Sequence, residues 1–86
     1  MKNIVFSNHS IDKIEILKKH QIFVDKEFIM DTVKHPDSVH TGYKGRIIAQ
    51  KLLDENHIIR VIYETQNEDI KIITMYPGRK SRYEKD

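Results

Sequence analysis

The chain has 86 residues, a formal net charge of +2 and no cysteine. A chain of this length predicts one domain, residues 1–86, with a core of modest size. The lack of cysteine excludes disulfides and thiolate chemistry, and the near-neutral charge disfavours a protein that coats nucleic acid through many phosphate contacts. The N-terminus has no apolar signal segment, and no apolar run approaches the ~20 residues of a membrane span, so we expect a cytoplasmic protein without a membrane partner.

The positive charge is concentrated at the C-terminal end. Residues 1–78 carry 11 basic and 11 acidic side chains, whereas residues 79–86 carry 4 basic and 2 acidic ones. A basic cluster on a neutral body is compatible with a small phosphate site. The alternative is that residues 79–86 form a solvated, frayed tail.

The N-terminal segment predicts a short strand followed by a helix. Asn3–Phe6 is short and apolar, which indicates an edge strand. Ser7 is expected to cap a helix from Asn8 to about His20, because its side-chain oxygen can accept a hydrogen bond from an early helical N–H. Apolar residues recur in this helix at helical spacing, so one of its sides should be buried.

A second helix and a loop are predicted next. Asp25 is expected to cap a helix over about Lys26 to Lys34. Pro36 ends this helix, because the residue before a proline avoids helical geometry. The following segment, Asp37–Gly45, contains Asp, Ser, Thr and two Gly and predicts a loop or a short strand.

Three strands follow in the C-terminal half. Arg46–Leu53, His57–Glu64 and Asp69–Tyr76 are rich in β-branched residues and alternate in polarity. The polar segment Thr65–Glu68 has the length of a hairpin loop. Pro77–Gly78 is expected to end the last strand, because proline lacks the N–H that a strand ladder needs.

The predicted fold class is α+β, with the order β-α-α-β-β-β. The three C-terminal strands should form an antiparallel meander, with both helices packed on one face of the sheet. Strict alternation in the last strand predicts two faces, one with Ile70, Ile72, Thr74 and Tyr76 and the other with Lys71, Ile73 and Met75.

A series of short motifs carries a resemblance to a known family. The motifs are Phe6-Ser7-Asn8-His9, His35-Pro36-Asp37, Gly45-Arg46, Arg60-Val61-Ile62-Tyr63 and Ile73-Thr74-Met75-Tyr76. In their order and spacing they resemble an uncharacterised bacterial and archaeal domain family. That family is related to the RelE-like and BrnT-like toxins of the barnase, colicin and RelE class of small ribonucleases. The sequence departs from the family pattern at Lys13, where the family has Arg, and at His20-Gln21, where it often has Arg-Gly.

The resemblance implies a RelE-like architecture and a toxin-like function. We expect an RNA-binding protein or a metal-independent endoribonuclease of a toxin–antitoxin system. Its partners would be RNA, with ribosome-associated mRNA as one candidate, and a small antitoxin protein that covers the basic face. The alternative is a catalytically inactive protein-interaction module of the same fold, which the departures at Lys13 and His20-Gln21 favour. A homodimer joined through an exposed strand is compatible with either function.

Metal-independent RNA cleavage needs a base, an acid and cations that stabilise the charge on phosphorus. The residues assigned to catalysis are His9, Arg60, Arg79 and Tyr83. Arg60 lies in the middle of an otherwise apolar strand, and its structural alternative is an ion pair with Glu64. His9 is chosen among the histidines because it shares a helix face with Lys13.

The residues assigned to RNA binding are Lys13, Lys51, Tyr76, Lys80 and Arg82. Cationic side chains bind phosphate, and an aromatic ring can stack on a base. The structural alternatives are that Lys51 extends along the apolar strand to water and that Tyr76 packs against the core or edge.

Neither a metal nor another cofactor is expected, because the chain has no cysteine and no two histidines at i, i+4 with a carboxylate partner. The remaining histidines are His20, His35, His40 and His57. They lie at the ends of elements or in loops, where polar residues are ordinary, and no function is assigned to them.

Overall fold

A computed structural model describes residues 3–83 of the chain. It contains five strands and three helices, so the predicted α+β class is confirmed. The elements are β1 (Ile4–Phe6), α1 (Asn8–Lys19), α2 (Lys26–Lys34), β2 (Ser38–Thr41), β3 (Ile47–Leu52), β4 (His57–Gln66), β5 (Asp69–Arg79) and α3 (Lys80–Tyr83), with a single 3₁₀ turn at Tyr43–Gly45 between β2 and β3. Among these residues, no helix is long and apolar enough to cross a membrane.

The five strands form one mixed sheet with the order β1-β5-β4-β3-β2. The meander of β3, β4 and β5 is antiparallel, as predicted. The prediction of an antiparallel sheet does not extend to β1, which lies parallel to β5 with Phe6 opposite Ile72. The segment that was predicted as a loop or a short strand contains β2, which pairs with β3 and forms the other edge.

Strand β5 continues through Pro77 and Gly78 instead of ending before them. Pro77 lies opposite Ile59, and Arg79 lies opposite His57. The N–H of Lys80 donates to the Asn56 carbonyl on the β4 side, at 2.8 Å. Because successive N–H groups of a strand point to opposite sides, the Pro77 nitrogen faces away from β4, where β1 has already ended. The missing N–H therefore costs no ladder bond.

A β-bulge corrects the predicted faces of β5. Ile62 lies opposite Thr74 but Tyr63 lies opposite Ile72, so Ile73 is an extra residue in the ladder. An extra residue reverses the alternation that follows it. Met75 consequently joins the core beside Ile72, whereas Tyr76 points to the opposite face of the sheet.

The predicted helix caps are confirmed, and one of them also joins helix to sheet. The Ser7 hydroxyl accepts a hydrogen bond from Ser10 N–H and donates one to the Ile73 carbonyl, both at 3.1 Å. The backbone N–H of Ser7 donates to the Ile72 carbonyl. Asp25 accepts from Phe28 N–H at 2.8 Å. Helix α1 therefore begins where the chain leaves β1 and stays bound to β5 at the bulge.

Both long helices pack on one face of the sheet, as predicted. The buried core contains Leu17 from α1, Ile29 and Val33 from α2, and Val24 from the link between them, packed against Ile59, Val61, Ile72 and Met75. The opposite face, which α1 and α2 leave uncovered, presents Arg60 and Tyr76. We call this surface the open face.

Two valines on the helix-covered face, Val61 near the centre of the sheet and Val39 on the edge strand β2, test how far the core extends across the sheet. Val61 is fully buried on the helix-covered face, whereas Val39 on the edge strand β2 is 54% exposed. We expect Val61→Ala to lower the free energy of unfolding by about 2–3 kcal/mol, because methyl groups are lost and a cavity remains. Val39→Ala should change it by less than about 0.5 kcal/mol. Urea unfolding of both variants measures this difference, and equal losses would contradict the assignment of the core.

Candidate nucleic-acid interface

An arginine clamped by two tyrosines lies on the open face. Arg60 and Tyr76 are cross-strand partners, and Tyr83 reaches them from α3. The Arg60 guanidinium carbon is 4.5 Å from the centre of the Tyr83 ring and 5.9 Å from that of Tyr76. Cation–π contacts at these distances hold a guanidinium in place. The alternative pairing of Arg60 with Glu64 is absent from the described residues, where Glu64 lies 3.6 Å from Arg46.

Helix α3 folds back onto the sheet because of a glycine. A Cβ atom on Gly78 would lie 2.8 Å from Cδ2 of Tyr83, so only glycine lets the ring lie this close to the strand. The bond from Lys80 N–H to Asn56 fixes the start of the helix. Residues 79–83 of the predicted basic tail thus belong to the sheet and to α3, whereas residues 84–86 lie outside the described residues.

Two buried polar atoms lie side by side on the open face. Gln50 and Arg60 are cross-strand partners, and Gln50 is only 3% exposed. Within residues 3–83, neither Oε1 of Gln50 nor Nε of Arg60 has a hydrogen-bond partner. Buried polar atoms are usually paired, so this position holds an unused acceptor and an unused donor.

A histidine held by a carboxylate lies at the end of the sheet. Nδ1 of His57 is 2.9 and 3.1 Å from the two carboxylate oxygens of Asp54. The N–H of Asn56 donates to the same carboxylate, and this bond together with His57 lowers the pKa of Asp54. An ionised carboxylate accepts a proton-bearing Nδ1 and leaves Nε2 of the ring available.

The cations next to this histidine come from β5 and α3. Arg79 is the cross-strand partner of His57, and Lys80 and Arg82 follow it, all three exposed. Arg82 lies with its guanidinium carbon 5.9 Å from the Tyr83 ring. The histidine and the exposed cations thus share one end of the sheet with the tyrosine clamp, but His57 and Arg79 belong to the helix-covered side, whereas Arg60 and Tyr76 lie on the open face.

Two clefts meet at His57 and Arg79, which line both. The first cleft, of about 650 Å³, lies between the link that follows α1 and the ends of β3, β4 and β5. The second, of about 600 Å³, lies between the β3–β4 turn and the start of α3. The first cleft also contains His20 and Asp54, and the second contains Lys80.

The structure brings most of the predicted site residues together. Those at this end of the sheet or on the open face beside it are Arg60, Tyr76, Arg79, Lys80, Arg82 and Tyr83. No function was assigned from the sequence to His57, Asp54 or His20. The sequence signal that could have identified Asp54 and His57 is a carboxylate three residues before a histidine at the start of a strand. This spacing permits a local Asp–His contact.

Two predicted residues on α1 are not among these contacts. His9 is exposed in the first turn of α1, which begins beside Ile72. Ile72 lies seven residues before Arg79 on β5, a distance of roughly 20 Å along a strand. Lys13 lies one turn further along the same helix. The catalytic role of His9 and the RNA-binding role of Lys13 stay predictions without geometric support.

Lys51 lies on the helix-covered face, opposite to Arg60. Its ammonium group is 2.7 Å from a carboxylate oxygen of Asp31 and 3.0 Å from the carbonyl of His35. The contact with Lys51 lowers the pKa of Asp31. Lys51 therefore joins β3 to the end of α2, and its predicted role in RNA binding also lacks geometric support.

Neither a metal site among the described residues nor a similar known protein helps to identify the function of this site. Among residues 3–83, no group of three or more His, Asp or Glu side chains could hold a metal ion. No protein-family model matches the sequence, and comparison with curated proteins and with solved structures gives no match. The resemblance to the RelE-like toxins therefore stays a prediction, and the geometry of the site carries the functional argument.

The contact between Gly78 and Tyr83 can be tested by a pair of substitutions. Gly78→Ala should displace the Tyr83 ring from Arg60 and lower stability by about 1–3 kcal/mol, because the new methyl group overlaps the ring. Nuclear Overhauser contacts between Tyr83 and Arg60 should disappear, whereas Ser81→Ala, in the same exposed helix, should retain them. In a Tyr83→Ala background, Gly78→Ala should cost little or stabilise. An equal cost in both backgrounds would contradict the packing of Tyr83 on Gly78.

Proposed function

We propose that the protein binds single-stranded RNA at this end of the sheet and cleaves it without a metal ion. One observation carries the proposal. Exposed cations and a carboxylate-held histidine lie at one end of the sheet, next to the α1–α2 link, and a clamped pair of tyrosines lies beside them on the open face. These are the groups that phosphate binding, base stacking and proton transfer require.

The aromatic rings favour a single-stranded substrate. Unpaired bases can be stacked on tyrosine, whereas the bases of an RNA duplex are already stacked on one another. Tyr76 and Tyr83 are held by Arg60 on the open face and both are partly exposed, so a base would stack on the part of each ring that solvent reaches. Each stacked base contributes about 1–3 kcal/mol to binding, largely independent of its identity.

The cations favour reaction at a phosphodiester. Arg79, Lys80 and Arg82 are exposed and follow one another along a short segment. Attack of a 2′-hydroxyl on the adjacent phosphorus places extra negative charge on the phosphoryl oxygens. Arginine and lysine held next to that position stabilise the charge and lower the barrier.

A small antitoxin protein is the partner that the sequence resemblance implies. An acidic antitoxin segment that covers the open face would neutralise the same cations and occlude the tyrosines, which would block RNA by competition. A chain with this fold that has lost its activity would use the face for a protein partner alone. The nuclease and the inactive interaction module differ in whether the free protein cleaves RNA.

We expect the purified protein to cleave a labelled RNA of mixed sequence in the presence of EDTA. The double variant Arg60→Ala, Arg79→Ala should lose this cleavage and most RNA affinity, because it removes the clamp and a phosphate ligand. The variant Lys18→Ala, Lys34→Ala removes the same charge from exposed positions on α1 and α2 and should behave as the parent. Gel analysis gives the cleavage rates, and fluorescence anisotropy at two salt concentrations gives the affinities.

The outcomes separate the candidate functions. Cleavage by the parent and the control, but not by the Arg60, Arg79 variant, supports the proposed reaction. Binding without cleavage would leave an RNA-binding protein and refute the nuclease. A folded protein that neither binds nor cleaves RNA would leave the interaction module as the function. Thermal unfolding of each variant shows whether a loss of activity is a loss of fold.

A further inference from the structure

We propose that the cleft between the link after α1 and the end of the sheet is the catalytic centre, with His57 as the general base and His20 as the general acid. This assignment deepens the proposed function and rests on it. The cleft contains both histidines together with Asp54 and Arg79. A base, an acid and a phosphate-binding cation are the groups that RNA cleavage requires.

The position of His57 fits a general base. Asp54 holds Nδ1, which fixes the tautomer and directs the free Nε2 away from the carboxylate. The turn Asp54–Asn56 is itself fixed, since the N–H groups of Leu53 and Asp54 donate to the His57 carbonyl. Arg79 is paired with His57 across the strands. A phosphate bound by Arg79 would therefore lie beside the imidazole.

The position of His20 is set by a Schellman turn at the end of α1. His20 caps the C-terminus of α1, and its N–H donates to the Leu17 carbonyl at 3.0 Å. Gln21 follows with φ of 65°, a conformation that glycine usually occupies at this position. Ile22 N–H then returns to the Leu17 carbonyl at 2.9 Å. This sharp reversal brings His20 and the link to the end of the sheet.

The residues that follow His20 also line the cleft. Gln21, Ile22 and Phe23 lie on it together with the ends of β3, β4 and β5. The turn after α1 therefore places His20 on the same cleft as His57 and Arg79.

The reaction balances with these two groups. Nε2 of neutral His57 takes the proton of the RNA 2′-hydroxyl while the 2′-oxygen forms a bond to phosphorus. The bond from phosphorus to the 5′-oxygen breaks, and protonated His20 gives its proton to that oxygen. The products are a 2′,3′-cyclic phosphate and a free 5′-hydroxyl. Proton exchange with water then returns both histidines to their starting forms.

The charges around the cleft set the expected pH dependence. Those facing His57 are Asp54 and Glu55 from the β3–β4 turn, Arg79 and Lys80 from β5 and α3, and His20 from the end of α1. A reaction that needs one neutral and one protonated group should have a bell-shaped pH–rate profile.

The test is the pH–rate profile of the full chain and its histidine variants on the same labelled RNA in EDTA. His57→Gln and His20→Gln should each lower the maximal rate by about 100-fold or more. The former should lose the fall at low pH, and the latter should lose the fall at high pH. Asp54→Asn should retain RNA binding and lower the cleavage rate, because Asp54 is a positioning residue that acts through His57. His40→Gln, on β2 and away from the cleft, should retain the parental profile.

Three results would overturn the assignment. Parental rates and profiles in both histidine variants would refute the catalytic cleft while the nuclease itself stands. A loss in only one variant would refute the pair of histidines. A parent that does not cleave RNA would refute the proposed reaction and the cleft together. RNA affinity, measured for every variant, separates a lost proton transfer from a lost binding site.

Discussion

The pairing of β4 with β5, and the bulge within it, is the constraint on which the rest of the structure depends. The extra residue Ile73 allows Ile72 and Met75, three positions apart, to point into the same core. It also offers its carbonyl to the Ser7 hydroxyl, so the start of α1 is fixed at the same point. Without the bulge, strict alternation would place Met75 on the open face and Tyr76 among the helices. One local irregularity thus sets the core, the helix start and the tyrosine clamp.

The length of β5 gives the site its position. Beyond Phe6 the strand has no neighbour on its outer side among the described residues, so Pro77 and Gly78 are accommodated without a lost ladder bond. The strand then carries Arg79 to a position opposite His57. Gly78 leaves room for Tyr83, which lets the chain turn back over the open face. A strand that ended at Tyr76, as the proline suggested, would have left the cations in an unpaired tail.

Much of the fold followed from periodicity and capping. The alternation of β4 separated Ile59 and Val61 from Arg60 correctly, and Ser7 and Asp25 marked both helix starts. The bulge, the parallel pairing of β1 and the strand through Pro77 were not predictable, because each depends on a partner that is distant in sequence. The functional site was only partly predictable for the same reason. Arg60 stood out within its own strand, whereas His20 and His57 gain their interest only from the cleft that joins them.

The two parts of the site differ in what their cations can do. Arg60 lies between two rings, and its Nε is buried without a partner among the described residues. A guanidinium enclosed in this way orders the rings and has little surface left for a phosphate. Arg79, Lys80 and Arg82 are exposed and hold no ion pair within residues 3–83. In the proposed function, the exposed cations beside His57 would bind phosphate, whereas Arg60 would support the aromatic surface on which a base would stack. The clamp lies on the open face and the cleft on the helix-covered side, and both are built on the end of β5. An RNA strand that uses both would therefore have to pass around the end of the sheet, next to Arg79 and Lys80.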